Sequence, residues 1–203
     1  MKNKTAVEWL IDQLTLVERN LINKTFLTRN KSKAGYLLEE IYPNYIDDTY
    51  FKNKIDLGIR ENKNQYISNV KGLKTNYHFF DNDIKLQNIV QDISPSLFDI
   101  IGPFNATCRD SWGCRYDDYS HFVKEHHHEV AKAPGFSGIL YLSDEGPGTY
   151  FPELDYLVKD KKGKIVIFHP SLLHSVKEFK YKTSRYIISF NFNFIKKWDN
   201  IES

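Results

Sequence analysis

Between residues 104 and 194 the chain divides into about eight short extended runs separated by turns, and this pattern restricts the fold more than any other feature of the sequence. The runs fall at 104–108, 113–116, 121–129, 138–142, 149–151, 164–168, 172–176 and 184–194. Most are too short for a helix of ordinary length, and most are rich in the aromatic and β-branched residues that fit a pleated surface. A helical pattern over 83–101, interrupted at Pro95, precedes them. One helix followed by eight short antiparallel strands suits a double-sheet jelly roll, with helices behind one sheet and any site between the sheets. The high aromatic share, 15% with 14 Phe and 13 Tyr, fits a mainly β chain with flanking helices.

The first third reads differently. Thr5 and Glu8 have the spacing of a capping box, and Val7, Leu10, Ile11, Leu14, Val17 and Leu21 recur at helical spacing, so a helix is expected over 5–23. Further helices are expected over 34–42, stopped by Pro43, and over 48–60, capped by Asp47. Short strands are expected over 66–70 and 76–80. The expected organisation is a helical N-terminal extension, residues 1–64, packed on a β domain of residues 65–203. At 203 residues, one core is expected.

The net charge of +2 arises from 28 basic and 26 acidic residues spread along the chain, which gives no electrostatic footprint for nucleic acid. The basic runs 159–164 and 177–182 read as solvated turns. There is no secretory apolar segment at the N-terminus and no apolar run long enough for a bilayer, so no membrane association and a cytoplasmic location are expected. Cys108 and Cys114 are accordingly expected to be reduced thiols.

Histidine is concentrated in one run, His126-His127-His128-Glu129. In an extended segment residues two apart share a face, so either His127 with Glu129 or His126 with His128 can present a pair of ligands. The first pair with His174 makes a two-histidine, one-carboxylate set; the second makes a three-histidine set suited to other metals. Leu172, His174 and Val176 share a strand face, which places an imidazole among residues that should be buried and therefore needs a partner. Arg185 follows eleven residues after His174 and shares its face with Ile187, Ser189 and Asn191. An inward guanidinium needs an anion, and its fork suits a carboxylate.

His127-x-Glu129, a distal His174 and Arg185 about ten residues on resemble the ligand pattern of the Fe(II)- and 2-oxoglutarate-dependent dioxygenases. The segment 138–142, the Gly146-Pro147-Gly148-Thr149-Tyr150-Phe151 turn and strand, and the run 164–168 before the distal histidine are similar to that family too. The resemblance covers roughly residues 66–194. It implies a double-stranded β-helix in which His127, Glu129 and His174 hold Fe(II), and Arg185 holds the far carboxylate of 2-oxoglutarate. Tyr116 and Ser189 would complete the oxoglutarate site. It also implies O2 as co-substrate and hydroxylation of a substrate that the sequence does not identify. The alternative is a cupin-like jelly-roll module that binds metal or ligand without turnover.

Overall fold

The computed structural model describes residues 25–31, 36–41, 46–62, 69–94, 104–128 and 135–196. These form twelve strands and two α-helices. In chain order they are β1 (Thr25–Lys31), β2 (Tyr36–Ile41), α1 (Asp48–Glu61), β3 (Val70–Lys71), β4 (Leu73–Lys74), α2 (Ile84–Ile93), β5 (Phe104–Tyr116) and β6 (Phe122–His126). After them come β7 (Gly135–Tyr141), β8 (Thr149–Phe151), β9 (Tyr156–Val158), β10 (Lys164–Phe168), β11 (His174–Val176) and β12 (Arg185–Lys196). A seven-stranded sheet runs in the order β1-β2-β10-β7-β12-β5-β4 and a five-stranded sheet in the order β3-β6-β11-β8-β9. All the pairings are antiparallel, and the two sheets make the expected jelly roll.

The period-two alternation of the large sheet divides its side chains between two cores. On β12, Ile188, Phe190 and Phe192 face the helices, together with Leu140 of β7 and Ile165 and Ile167 of β10. They meet Phe51 and Ile55 of α1 and Leu86, Ile89, Val90 and Ile93 of α2. The opposite face carries Trp112, Tyr116, Ile139, Tyr141, Val166, Phe168 and Ile187, which pack against Val123, Phe151, Val158 and Val176 of the small sheet and Leu172 just before its strand β11. This second core surrounds the site. Gly113 keeps α1 close to the sheet: a Cβ there would lie 2.3 Å from the Ile55 side chain.

Both described helices start on an aspartate. Asp47 accepts a bond from the Tyr50 amide and Asp83 one from the Leu86 amide, each 3.0 Å long, satisfying donors that a helix start leaves open. Asp83 also accepts bonds from the Tyr50 hydroxyl and the Lys54 ammonium, so it ties α2 to α1.

Three expectations change. Residues 36–41 form a strand, β2, where a helix was expected over 34–42. The exposed edge of β10 is open to it, and the two pair from Lys164 with Ile41 to Phe168 with Leu37. A short apolar run does not itself distinguish strand from helix. Residues 77–80 form turns and not a strand, because Tyr77 packs on Trp112 on one side of β5 while Phe80 is fully buried on the other. The runs at 104–108 and 113–116 are one strand, β5, paired with β12 along its length. The helix at 48–60 is found, one residue longer. That expected at 5–23 lies outside the described residues, as does most of the expected strand 66–70. Cys108 and Cys114 are free thiols. Among the described residues no helix is long and apolar enough to cross a membrane.

Candidate metal and oxoglutarate site

Strands β6 and β11 pair with His126 opposite His174. The His128 amide then donates to the Pro170 carbonyl at 2.9 Å, which keeps the chain beside the segment leading into β11. His126 and His128 therefore lie on the same side as His174, and their ligand atoms all fall within 4.8 Å of one another. Ring centroids are 4.3 Å apart for His126 and His174, and 5.1 Å for His128 and His174. Small ring rotations would bring three nitrogens to the roughly 2.1 Å that a divalent metal requires.

The expected pair was His127 with Glu129. The structure brings the other pair to His174 instead: His127 is exposed, with its Nδ1 3.3 Å from the His128 carbonyl oxygen. Glu129 lies outside the described residues. The physical reason is register, since the pairing of His126 with His174 gives the inward face to the even-numbered histidines.

The hydrogen bonds of the three rings all point to the same tautomer. Each Nδ1 faces an oxygen acceptor: Lys124 carbonyl for His126 at 2.9 Å, Leu172 carbonyl for His174 at 3.0 Å, and the Asn191 side-chain oxygen for His128 at 2.8 Å. A proton on each Nδ1 leaves each Nε2 lone pair for a metal. Burial holds all three rings below the usual histidine range, most strongly at His174, so they are neutral and able to ligate. The Asn191 amide orientation is fixed in turn, because its nitrogen donates to Asp110. The Ser137 hydroxyl lies 2.8 Å from the same His128 nitrogen and donates to Asn191 at 2.6 Å.

Arg185 opens β12 and is fully buried. Its Nε donates to Asp160 Oδ1 at 2.8 Å, while Asp160 Oδ2 accepts from the Gly148 amide at 2.8 Å. Tyr116 and Tyr141 flank the guanidinium, with ring centroids 5.0 and 5.6 Å from its carbon. Nη1 and Nη2 are buried and have no hydrogen-bond partner among the described residues, and the same holds for the nearby Tyr181 hydroxyl. Three buried donor atoms without acceptors are costly unless a ligand supplies oxygens. A carboxylate fits that need, and three inward imidazoles fit a divalent metal.

Of the residues expected to hold oxoglutarate, Arg185 is inward as expected, Tyr116 packs against it, and Ser189 lines the cavity beneath the histidines. Two neighbours of Arg185 were not read from the sequence. Asp160 and Tyr181 lie in the basic runs read as solvated turns, yet Asp160 is buried and Tyr181 stacks on Tyr116. One carboxylate inside a run of lysines was the available signal for Asp160; no sequence signal marked Tyr181.

No family model matches the sequence. Nor does any curated protein match it at the sequence level. Comparison with solved structures is informative. A viral collagen prolyl hydroxylase, vCPH of Paramecium Bursaria Chlorella virus-1, solved as its 2OG complex, superposes with a TM-score of 0.54 at 18% identity, covering 76% of this chain and 96% of its own. A Pseudomonas putida prolyl-4-hydroxylase gives 0.53 at 10% identity, covering 77% and 91%. SnoK, a non-heme alpha ketoglutarate dependent carbocyclase from nogalamycin biosynthesis, gives 0.59 at 10% identity, covering 90% and 85%. At these identities the likeness establishes the fold: this chain has the double-stranded β-helix of those oxygenases.

Proposed function

We propose that the protein is an Fe(II)- and 2-oxoglutarate-dependent oxygenase, a hydroxylase of an organic substrate, with His126, His128 and His174 as metal ligands. The observation that carries this is that three neutral imidazoles line one cavity, and that Tyr116 of its wall packs on a buried guanidinium whose two terminal nitrogens are unmatched among the described residues. Along β12, Arg185 lies one step on the same face from Ile187, and Ile187 and Ser189 line the cavity that the histidines also line. A ligand chelated at the metal and reaching along that wall meets Arg185. Charge supports the same reading. Asp160 neutralises Arg185, so three neutral imidazoles leave the metal's two positive charges to be met by a dianion such as 2-oxoglutarate.

Bound Fe(II) would supply activation of O2, and the overall change is R–H + 2-oxoglutarate + O2 → R–OH + succinate + CO2. The chain's own part is geometric. Lys124, Leu172 and Asn191 hold the three rings in one tautomer, and Phe151 and Phe168 shield His174 from water. Arg185 orients the co-substrate through its fork. Space is tight: the cavity lined by the three histidines, Phe168, Ile187 and Ser189 is about 30 Å³, so oxoglutarate must displace side chains that line it, Tyr116 among them.

That tightness favours a second reading, a jelly-roll module that holds a metal such as zinc without turnover. Incubation with Fe(II), ascorbate, O2 and 2-oxoglutarate separates the two. The oxygenase yields succinate even without substrate, and Arg185→Ala raises the oxoglutarate requirement steeply while metal binding is retained. Metal binding with no succinate and no oxoglutarate binding would favour the module.

A further inference from the structure

A second cavity, of about 300 Å³, opens beside the histidines, and its wall contains an irregularity in the strand pairing. Asn191 of β12 lies opposite Asp110, but Phe192 lies opposite Cys108, so Arg109 is an extra residue without a partner on β12. Such a bulge reverses the alternation of the strand. On its C-terminal side Trp112, Cys114 and Tyr116 face the site, whereas Cys108, which the same parity would turn inward, packs with the helix-side core. Arg109 and Asp110, neighbours that a regular strand would send to opposite faces, both line the cavity and pair with each other at 2.8 Å. A regular β5 would have left Arg109 on the helix side.

The polar groups of this wall are bonded to one another. Asp110 receives Arg109 Nε on one oxygen and the Asn191 amide on the other, and Asn191 gives its own oxygen to His128. Arg109 uses Nε for that pair, so its two terminal nitrogens are left for another acceptor, and the side chain is 32% exposed. Close by, Trp112 and Tyr77 make an edge-on aromatic pair at 4.9 Å, and Val70 adds an apolar surface. A cation with a free fork, an apolar wall and metal ligands thus converge on one space of small-molecule size.

We propose that Arg109 binds the carboxylate of the primary substrate, and that this substrate is a small organic acid whose apolar body lies on Trp112 and Tyr77 beside the metal. The proposal rests on the oxygenase reading for the fate of the substrate. The bulge sets its orientation: the carboxylate at Arg109 leaves the apolar body nearer the histidines, so oxidation falls on a C–H bond away from the acid group. Arg185 and Arg109 then divide two carboxylic acids between them, one co-substrate and one substrate.

The test is calorimetric, with 3-phenylpropionate and its amide, 3-phenylpropionamide, as probes. The protein carries Ni(II) and saturating 2-oxoglutarate, so that the metal and Arg185 are occupied. The expected result is that the acid binds the wild-type protein at least about tenfold more tightly than the amide, as a charge-assisted pair should. Arg109→Gln abolishes the difference without changing oxoglutarate affinity, and Arg109→Lys restores part of it. No binding of the acid at millimolar concentration, equal binding of acid and amide, or undiminished preference in Arg109→Gln would overturn the proposal. Failure of the oxygenase reading is recognisable separately, since the wild-type protein would then bind no 2-oxoglutarate, and the acid-over-amide preference would be measured without it.

Discussion

Replacing Asp160 with Asn removes the carboxylate that balances Arg185, and the structure sets the size of the effect. The two side chains are 1% and 0% exposed, so water cannot take over for the lost carboxylate. Two donors meet at Asp160, the Arg185 Nε–H and the Gly148 amide. Asparagine has one acceptor oxygen, so one donor loses its partner and faces an NH2 group. Breaking a buried pair from one side costs about 3–5 kcal/mol. For a chain of this size each kcal/mol lowers Tm by roughly 2–4 °C, so Asp160→Asn should melt about 6–20 °C lower. Far-UV circular dichroism during a thermal scan, with a urea titration for the free energy, measures this. Saturating 2-oxoglutarate should recover part of the loss, because its carboxylate gives the guanidinium another anion. A loss below about 1 kcal/mol would refute the reasoning, since it would mean that Arg185 reaches water or another acceptor.

Asn191→Leu leaves His128 Nδ1 without its amide acceptor and should weaken Zn(II) or Co(II) binding by about 10–100-fold in a chelator competition; unchanged affinity would show that Ser137 alone fixes the ring. Asp83 is held below the usual carboxylate range: burial raises it, but the bonds from Lys54, Tyr50 and the Leu86 amide outweigh that. Its folded value being the lower one, its contribution to stability is present above pH ~4 and falls as the pH drops through the folded value. Asp83→Asn should therefore be less stable than wild type at pH 7, with the difference shrinking below pH 4 in urea titrations. Burial pushes the Cys108 thiol up to about 11. At pH 8 roughly one molecule in a thousand carries the thiolate, so alkylation of the native protein should run about two orders of magnitude slower than in denaturant; rapid native labelling would contradict the packing of β5.

Much of the fold was legible because strand alternation and turn residues are local signals. Lys164–Phe168, Thr149–Phe151 and His174–Val176 lie within the expected extended runs, and the expected inward face of Arg185, Ile187, Ser189 and Asn191 is the one observed. What was not legible depends on pairing between distant strands. The choice between even and odd histidines follows from His126 lying opposite His174, 48 positions apart, which no property of the run His126-His127-His128 encodes. The bulge at Arg109 is likewise a mismatch between β5 and β12, visible only when both strands are in register. Asp160 and Tyr181 were hidden for another reason, that lysine-rich runs read as solvated even when some of their residues turn inward. The short strand β9 was missed because Tyr156-Leu157-Val158 lacks the Gly146-Pro147-Gly148 turn that marked the equally short run 149–151.

The central claim is that the even-numbered histidines, with His174, hold a metal at which an Arg185-bound oxoglutarate chelates. Anaerobic titration of the Fe(II)-loaded protein with 2-oxoglutarate, followed by the visible metal-to-ligand charge-transfer absorption of a chelated keto acid, tests it most directly. The account predicts a saturable band at one oxoglutarate per chain, preserved in His127→Ala and lost in His126→Ala and His174→Ala. A band that survives His126→Ala but vanishes in His127→Ala, or no band with Fe(II) bound, would contradict it.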